Sequence, residues 1–282
     1  MTDSNGRKTK HSRKDKPQLL FLVGPPRSGT TWLQSLLGNH PDIGTAQESH
    51  LFNHFLGPMV ESWDHMLSFQ DGRGGIGLPA YQTEVEFLTM LEGVVHSVLS
   101  RADEYHRYPI FLEKTPDHIR NMDHISRILP DAKIIYMIRS PADVIESMLS
   151  ASASWGSNWA PGNIIKAIRQ YSYFVSKGTR DYALANPETI LLIRYEDLKK
   201  ETETVLRQVL DFVGLDSSDA VRHTMLNTEF ELKKYGEFAI KNGHKVVEPE
   251  GFARAKKGRL GLLQRLLVKL TLSRYINRYG YR

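Results

Sequence analysis

The sequence predicts an α/β fold in which a central parallel sheet lies between two layers of helices. Short apolar runs alternate with stretches of helical periodicity, a pattern typical of parallel strands joined by crossover helices. One of these runs, residues 133–138, is apolar after its first residue, as expected for a strand buried on both faces. The predicted strands are residues 18–23, 110–113, 133–138 and 189–195.

The chain has 282 residues, of which 40% are hydrophobic, so it can bury one substantial core. Residues 1–17 are polar and basic without apolar periodicity, which indicates a disordered tail. We expect residues 18–261 to form the main domain. Residues 262–282 carry leucines and basic residues at helical spacing, which predicts a C-terminal basic amphipathic helix.

The formal net charge is +5 and the sequence contains no cysteine. Disulfides and thiolate metal sites are therefore excluded. A positive charge suits an anionic ligand, a nucleic acid or an acidic membrane surface, but no recognised nucleic-acid module accompanies the basic tail, so we expect no nucleic-acid partner. No apolar run has the length of a signal-peptide core or a membrane span, which favours a cytoplasmic protein.

A phosphate-binding loop follows the first predicted strand. Residues 24–31 fit the template GxxxxGK(S/T) at every defined position except one, where Thr30 replaces the lysine. The nearest cation is Arg27. The backbone N–H groups of residues 28–31, at the start of a helix, can still hold a phosphate with Arg27 as a forked partner. The loop therefore predicts a phosphorylated nucleotide other than ATP with magnesium.

Residues 26–32, Pro-Arg-Ser-Gly-Thr-Thr-Trp, resemble the 5′-phosphosulfate loop of sulfotransferases that use 3′-phosphoadenosine 5′-phosphosulfate (PAPS). Cytosolic members usually have lysine at the place of Arg27, whereas protein-tyrosine, several carbohydrate and bacterial members have arginine. The resemblance implies a P-loop-like three-layer fold. It also implies that the following loop residues bind the 5′-phosphosulfate, with the last one near adenine: Arg27, Ser28, Gly29, Thr30, Thr31 and Trp32.

A helical pattern then runs to Gly38, and an extended stretch over residues 43–50 carries Glu48. In arginine-loop sulfotransferases a glutamate at this distance from the loop is the general base. The resemblance therefore implies that Glu48 takes the proton from the acceptor. Taken alone, Glu48 could equally be a solvated or helix-capping acid.

The predicted strand at residues 110–113 delivers Lys114 to its end. The resemblance implies that Lys114 contacts the sulfuryl group or the leaving phosphate oxygen, where negative charge develops. Cytosolic members have their histidine base two residues further on, but Pro116 occupies that place here. This difference favours Glu48 as the base and leaves His118 as a weaker substitute.

Arg139 ends the strand at residues 133–138, and Ser140 and Pro141 predict the start of a helix, as its N-cap and first residue. Ser147 lies two turns into that helix. The spacing is similar to the family's 3′-phosphate site, so the resemblance implies that Arg139 and Ser147 bind the 3′-phosphate of the nucleotide.

Three further predictions concern the rest of the chain. The resemblance implies that Tyr195 contacts adenine and that a loop containing Lys256, Lys257 and Gly258 folds over the 3′-phosphate. Trp155 and Trp159 either stack on an acceptor or cover the edge of the core. The C-terminal helix either docks on the domain or contacts an anionic membrane.

Together these residues imply in-line sulfuryl transfer from PAPS to an acceptor hydroxyl, without a metal. The acceptor stays open among a sugar, a lipid, a small alcohol and a peptide tyrosine. One alternative is a P-loop-like nucleotide kinase, which would need the lysine that Thr30 replaces and an acidic strand end for magnesium. The other is a non-catalytic nucleotide-binding protein, which would keep the loops without needing Glu48 and Lys114.

Overall fold

The computed structural model describes residues 16–69, 77–154, 156–227 and 260–281. Within these ranges five parallel strands form a single sheet with the order β2-β3-β1-β4-β5. The first strand in sequence lies at the centre. The strands are β1 (Gln18–Val23), β2 (Ile43–Thr45), β3 (Ile110–Lys114), β4 (Lys133–Ile138) and β5 (Ile190–Arg194). The four predicted strands are confirmed, and β2 adds a short edge strand inside a stretch that was predicted only as extended.

Eleven α-helices connect or flank these strands in the described residues. Three precede β3: α1 (Thr30–Leu37), α2 (Gly57–Ser68) and α3 (Glu84–Leu99). Three more lie between β3 and β5: α4 (Met122–Ile128), α5 (Pro141–Ser152) and α6 (Ile164–Leu184). Five follow β5: α7 (Tyr195–Lys200), α8 (Thr202–Val213), α9 (Asp219–Asn227), α10 (Leu262–Thr271) and α11 (Ser273–Arg278).

The sheet separates two hydrophobic cores, as the alternation of side chains along β1 shows. Leu19, Phe21 and Val23 face one core, which helices α2 to α6, α10 and α11 cover. Leu20 and Leu22 face the other, which α1, α7, α8 and α9 cover. Because both faces of β1 are buried, its run of apolar residues is required by the fold. The three-layer α/β architecture predicted from the sequence is confirmed.

The register brings the carboxyl ends of the strands to one rim. Leu22 of β1 pairs with Lys114 at the end of β3, and Val23 pairs with Tyr136 of β4. Ile138 of β4 in turn pairs with Arg194 of β5. The loops that follow β1, β3, β4 and β5 therefore lie side by side, and ligands of open parallel sheets bind at this edge.

Two helices show local details that the sequence pattern does not convey. Ser140 occupies the N-cap position of α5 and Pro141 its first position, as predicted, but the Ser140 side chain makes no capping hydrogen bond. In α3 the buried stripe consists of Phe87, Leu91, Val95 and Leu99. Val85 and Val98 of the same helix are exposed, because the core touches a narrower stripe than the apolar residues of this helix cover.

The C-terminal region contains two helices where one was predicted. Val268 of α10 and Tyr275 of α11 are buried against the core that also contains β4. The hydroxyl of Tyr279 lies 3.2 Å from that of Tyr136 and 2.7 Å from that of Thr179. The region thus docks on the domain. None of the helices in the described ranges has both the length and the apolarity needed to cross a bilayer.

Candidate active site

A cavity of about 570 Å³ opens at the rim where the strands end. Its walls are formed by the loops after β1 and β4 and by the start of α7, which are far apart in the sequence. Residues predicted for the site and found in its walls are Arg27, Gly29, Thr30, Thr31, Trp32, Glu48, Arg139, Ser147 and Tyr195. Ser28 and Lys114 are buried behind this surface. Most of the predicted residues are therefore brought together in one place.

The loop after β1 turns sharply into α1. The Ser28 N–H donates to the carbonyl of Pro25 at 3.0 Å, and Gly29 adopts a φ of 99° at the N-cap of α1. A side chain at Gly29 would also require Tyr195 to move, because a Cβ there would lie 2.4 Å from Cδ2 of Tyr195. The first N–H groups of a helix have no intrahelical acceptor, so the loop presents donors to an anion.

Two arginines stand together beside this loop. Arg27, at a φ of 74°, donates from Nε to Ser147 Oγ at 3.0 Å. Nη1 of Arg139 donates to the backbone carbonyl of Arg27 at 3.3 Å. Burial lowers the pKa of Arg27, and the positive charge of Arg139 lowers it further. Like charges held this close favour binding of an anion, which relieves their repulsion.

Some of the buried polar atoms without a protein partner lie in this region. Among the described residues these atoms include Oγ of Ser28 and Nε of Arg139. Such groups are rare because an unmade buried hydrogen bond costs about 1–3 kcal/mol. Their presence in the loop and beside it fits a ligand rich in acceptor oxygens, such as a phosphate or sulfate ester.

An aromatic platform lies next to the arginines. The Arg139 guanidinium stacks on the Tyr195 ring, with Cζ 4.3 Å from the ring centroid. Trp32 meets Tyr195 edge to face at a centroid distance of 5.7 Å. Tyr195 was predicted at the end of a strand, but it is the first residue of α7. The pair of rings offers apolar surface for a planar base close to the cationic groups.

Glu48 and Lys114 form an ion pair at the wall of the cavity. Nζ of Lys114 donates to Oε1 of Glu48, while Oε2 of Glu48 lies 3.5 Å from Nε2 of His50. The Lys114 side chain is 6% exposed and that of Glu48 is 36% exposed. Solvent and ligands can therefore reach the carboxylate, and the ammonium group lies directly behind it.

Glu113, which precedes Lys114, fixes the segment that carries Glu48. Its Oε1 accepts hydrogen bonds from the N–H and the hydroxyl of Ser49, at 3.1 and 2.8 Å, and from Thr115 Oγ1 at 2.6 Å. Complete burial alone would raise the pKa of Glu113, but the attraction of His118 and hydrogen bonds from His118, Thr115 and Ser49 outweigh it and lower the pKa to about 2. A carboxylate stabilised this strongly is a structural anchor.

His118 lies outside the cavity wall and is wholly buried. Its Nδ1 lies 3.1 Å from Oε2 of Glu113, and its Nε2 accepts from the N–H of Phe52 at 3.1 Å. Both ring nitrogens are thus occupied by the protein. The idea that His118 could substitute as the base is wrong, because no nitrogen is left to receive a proton from an acceptor.

Sequence reasoning missed three residues of the cavity wall: His50, Asp117 and Gln170. Burial raises the pKa of Asp117, against the opposing attraction of Arg120 and His50. His50 and Asp117 lie within a few residues of Glu48 and Lys114, and this adjacency was an available signal. Gln170 lies within the long helix α6, where no sequence pattern distinguishes it. Trp159 lines the cavity and is 37% exposed, so it is open to a ligand.

Some predictions lie beyond the described residues. Trp155, Lys256, Lys257 and Gly258, with the loop proposed over the 3′-phosphate, fall in that category. Within the described ranges, no cluster of three or more histidine, aspartate or glutamate side chains could hold a metal ion. The described cavity thus combines cations for an anionic ligand with the carboxylates of Glu48 and Asp117, an arrangement that can stabilise a transferred anionic group and remove a proton from its acceptor.

Sequence comparisons relate the chain to known proteins. The sequence model of the Sulfotransferase family matches residues 17–219. Protein-tyrosine sulfotransferase 1 of Danio rerio is 25% identical over 217 residues, which make up 74% of this chain and 56% of that protein. The chain spans about half the length of the first protein-tyrosine sulfotransferases that it matches.

Solved structures share the architecture. The sulfotransferase domain from the curacin biosynthetic pathway is similar at a TM-score of 0.60 and 19% identity, covering 94% of this chain and 98% of that one. A mouse sulfotransferase complexed with PAP is similar at a TM-score of 0.54 and 15% identity, covering 92% of this chain and 85% of that one. At these identities the likeness shows that the folds agree.

Proposed function

The chain belongs to the sulfotransferase family, and from this premise we propose that it transfers the sulfuryl group of PAPS to an acceptor hydroxyl. The observation that carries the proposal is the shared cavity. One wall presents Arg27, Arg139 and Ser147, which suit an anionic nucleotide. Another presents Glu48, with Lys114 paired to it behind the surface. A site that only bound a nucleotide would need the first wall without the second.

The donor is proposed to lie along the loop and the aromatic platform. The N–H groups at the start of α1, with Arg27, hold the 5′-phosphosulfate. Arg139 and Ser147 hold the 3′-phosphate, and Trp32 and Tyr195 contact adenine. The unpartnered Oγ of Ser28 and Nε of Arg139 support this placement, because both need acceptor oxygens that the described protein atoms do not supply. The mouse neighbour complexed with PAP, adenosine 3′,5′-bisphosphate, suggests the same nucleotide.

In the proposed reaction the acceptor oxygen attacks sulfur in line with the bond to the 5′-phosphate oxygen. The new S–O bond forms as the old one breaks, and the 5′-phosphate of adenosine 3′,5′-bisphosphate leaves. Glu48 receives the proton of the acceptor hydroxyl. Lys114 and Arg27 stabilise the negative charge on the sulfuryl and bridging oxygens. Every step uses charges of this chain and needs no metal ion.

The acceptor end of the cavity is proposed to be the part lined by His50, Asp117, Trp159 and Gln170. These residues offer an aromatic face and several hydrogen-bonding groups, which fit a hydroxyl compound. Sugars, lipids, small alcohols and peptide tyrosines remain the candidate classes. Screening these classes with PAPS labelled in the sulfuryl group would identify the one that accepts it.

The nucleotide kinase alternative is less well supported by the strand ends. A P-loop kinase uses a lysine in the loop and acidic groups for magnesium. Here Thr30 stands at the lysine position, and Lys114 and Arg139 stand at the ends of β3 and β4. Cations at those places would repel a magnesium ion rather than bind it.

Calorimetric titration tests the donor site. We would compare adenosine 3′,5′-bisphosphate, 5′-AMP and ATP with magnesium on the wild type, on Arg139→Ala and on Ser147→Ala. The matched control is Arg101→Ala, because Arg101 is exposed and lies outside the cavity wall. We expect the bisphosphate to bind at least about tenfold more tightly than 5′-AMP, as a charged hydrogen bond of about 1.5–3 kcal/mol implies.

In both site variants this preference should shrink, while the control keeps it. Thermal unfolding of each variant checks that the fold is intact. Tighter binding of ATP with magnesium, or equal binding of the bisphosphate and 5′-AMP by the wild type, would overturn the proposal and favour the kinase.

A further inference from the structure

Helix α10 carries a row of exposed leucines, here called the leucine face: Leu262, Leu263, Leu266, Leu267 and Leu270. Leu262 and Leu263 are 88% and 82% exposed, and Leu270 is 68% exposed. At about 100° per residue these five positions lie within one continuous apolar sector of the helix. Soluble domains rarely expose large apolar side chains side by side, and such a patch marks an interaction surface.

The helix is held on the protein by its opposite side. Val268, which is 1% exposed, lies roughly 170° from the centre of the leucine face and packs into the core. Nη2 of Arg265 contacts Oε2 of Glu146 in α5 at 3.3 Å, and its Nε donates to the carbonyl of Leu260 at 3.3 Å. The leucine face therefore points away from the domain because α10 is docked, and not because the helix is loose.

The charged residues of this C-terminal segment have one sign. From residue 260 to residue 281 the sequence contains the basic residues Arg265, Lys269, Arg274 and Arg278 and no aspartate or glutamate. Lys269 is exposed and lies on the helix about 20° from Leu262, at the border of the leucine face. An apolar sector with a cation at its border, in a segment without acids, is complementary to a surface with an apolar interior and negatively charged outer groups.

We propose that α10 docks this protein on anionic lipid bilayers. The leucine face enters the boundary between head groups and acyl chains, and Lys269 contacts head-group phosphates. A second copy of the chain fits less well, because two leucine faces in contact would bring the Lys269 side chains of both copies to one interface. The inference concerns where the protein acts and does not depend on the sulfuryl-transfer reaction.

Vesicle flotation with the full chain tests the proposal. We would compare vesicles of phosphatidylcholine alone with vesicles that contain about a quarter phosphatidylserine. The wild type should bind the anionic vesicles at least about tenfold more strongly than the neutral ones, and the difference should shrink at high salt. Two variants separate the contributions: Leu263→Ser with Leu266→Ser for apolar insertion, and Lys269→Glu for charge.

The double leucine variant should lose at least about tenfold in binding, since each apolar side chain in the interface contributes to insertion. The Lys269→Glu variant should lose about fivefold or more on anionic vesicles and little on neutral ones. The matched control is Val85→Ser with Val98→Ser, which changes two exposed valines of α3 and should bind like the wild type.

Three results would overturn the proposal. They are equal binding of wild type and leucine variant to anionic vesicles, absence of binding by the wild type, and loss of a dimer in the leucine variant without a change in vesicle binding. The second would indicate that another part of the chain covers the leucine face, and the third that a second copy does. Unfolding temperatures should be nearly equal for all variants, because the substituted side chains are exposed.

Discussion

The carboxylate of Glu48 accepts a charged hydrogen bond from the ammonium group of Lys114, 66 positions away in the sequence. Lys114 is almost completely buried, so it would be costly to hold there without a negative partner. In the proposed reaction both groups serve other partners, since Lys114 faces the sulfuryl oxygens and Glu48 faces the acceptor hydroxyl. On the proposed mechanism the pair is a resting arrangement that an anionic donor replaces, which leaves Glu48 free to take a proton.

Replacing Glu48 by glutamine should remove the base but keep an oxygen for Lys114. We expect kcat to fall by about 10²- to 10⁴-fold, the range for a general base. The affinity for adenosine 3′,5′-bisphosphate should stay the same or rise, because Glu48 does not contact the proposed donor and its charge no longer competes with the donor for Lys114. Initial rates and calorimetry measure the two effects. The control Glu92→Gln changes a partly exposed glutamate outside the cavity wall, paired with Lys16 and His96, and should behave as wild type. Full activity of Glu48→Gln would exclude Glu48 as the base.

Alanine at Gly29 should disrupt the loop through both conformation and contact. The φ of 99° is strained for alanine, and the added Cβ would lie 2.4 and 2.8 Å from two carbons of the Tyr195 ring. We expect a loss of about 1–3 kcal/mol in the free energy of unfolding and at least tenfold weaker bisphosphate binding. Chemical denaturation and calorimetry give these values.

The matched control for that substitution is Gly93→Ala. Gly93 lies within α3, and a Cβ there has no neighbour within 4 Å. We expect this variant to be unchanged or more stable by about 0.5–1 kcal/mol. If both glycines tolerate alanine equally, the close approach of Tyr195 to the loop does not constrain the site.

Acid stability should depend on Glu113. The pKa of Glu113 in the folded protein is lowered to about 2, so the folded state binds fewer protons than the unfolded chain as the pH falls below about 4.5. Its stabilisation is fully present above that pH and is lost as the pH falls toward 2. The variant Glu113→Gln should be less stable by about 3 kcal/mol at pH 7, with a flatter acid limb. Denaturant titrations between pH 2 and pH 7 test this, and parallel curves for both proteins would contradict it.

Asp181 should make the protein less stable as the pH rises, which is opposite to the effect of Glu113. Burial and the neighbouring carboxylate of Asp123 raise the pKa of Asp181 to about 7, against the attraction of Lys177 and Arg180. The folded state therefore retains a proton that the unfolded chain releases, and this contribution declines as the pH rises from about 4 to about 7. Asp181→Asn should raise the free energy of unfolding at pH 8 by about 2–4 kcal/mol.

That gain should be smaller at pH 5, where the wild-type carboxyl still holds its proton. The exposed Asp103 provides the control, because Asp103→Asn should leave the pH profile unchanged. If Asp181→Asn is less stable than the wild type at pH 8, the prediction is wrong. Such a result would show that attraction to Lys177 and Arg180 outweighs the cost of burying the charged carboxylate.

The strand ends that form the site could be predicted because neighbouring residues in the sequence identify each of them. An apolar run followed by a loop motif locates Arg27, Lys114 and Arg139 without knowledge of the fold. The parallel arrangement then predicts that these residues meet at one rim, as they do. The strand β2 escaped prediction because its three residues are too few to show a period.

Contacts between distant segments could not be predicted in the same way. Nothing in the sequence indicates that His118 is enclosed between Glu113 and the N–H of Phe52, because the bond to Phe52 depends on how the helical segment Phe52–Leu56 before α2 packs on the loop after β3. Likewise, the position of Gln170 in the cavity depends on the rotation of α6, which the apolar pattern sets only approximately. Sequence motifs identify which groups take part, and packing decides which of them are accessible.

The central position of β1 has a consequence for how the chain folds. Its neighbours β3 and β4 begin at Ile110 and Lys133. About 90 residues after β1 must therefore be synthesised before the first of these partner strands is available. During that interval the run Leu-Leu-Phe-Leu-Val has two open edges and high β-propensity, which makes it prone to aggregate. Refolding should therefore be slow, because it is limited by the pairing of β3 and β4 with β1. Holdase chaperones should raise the yield of refolded protein.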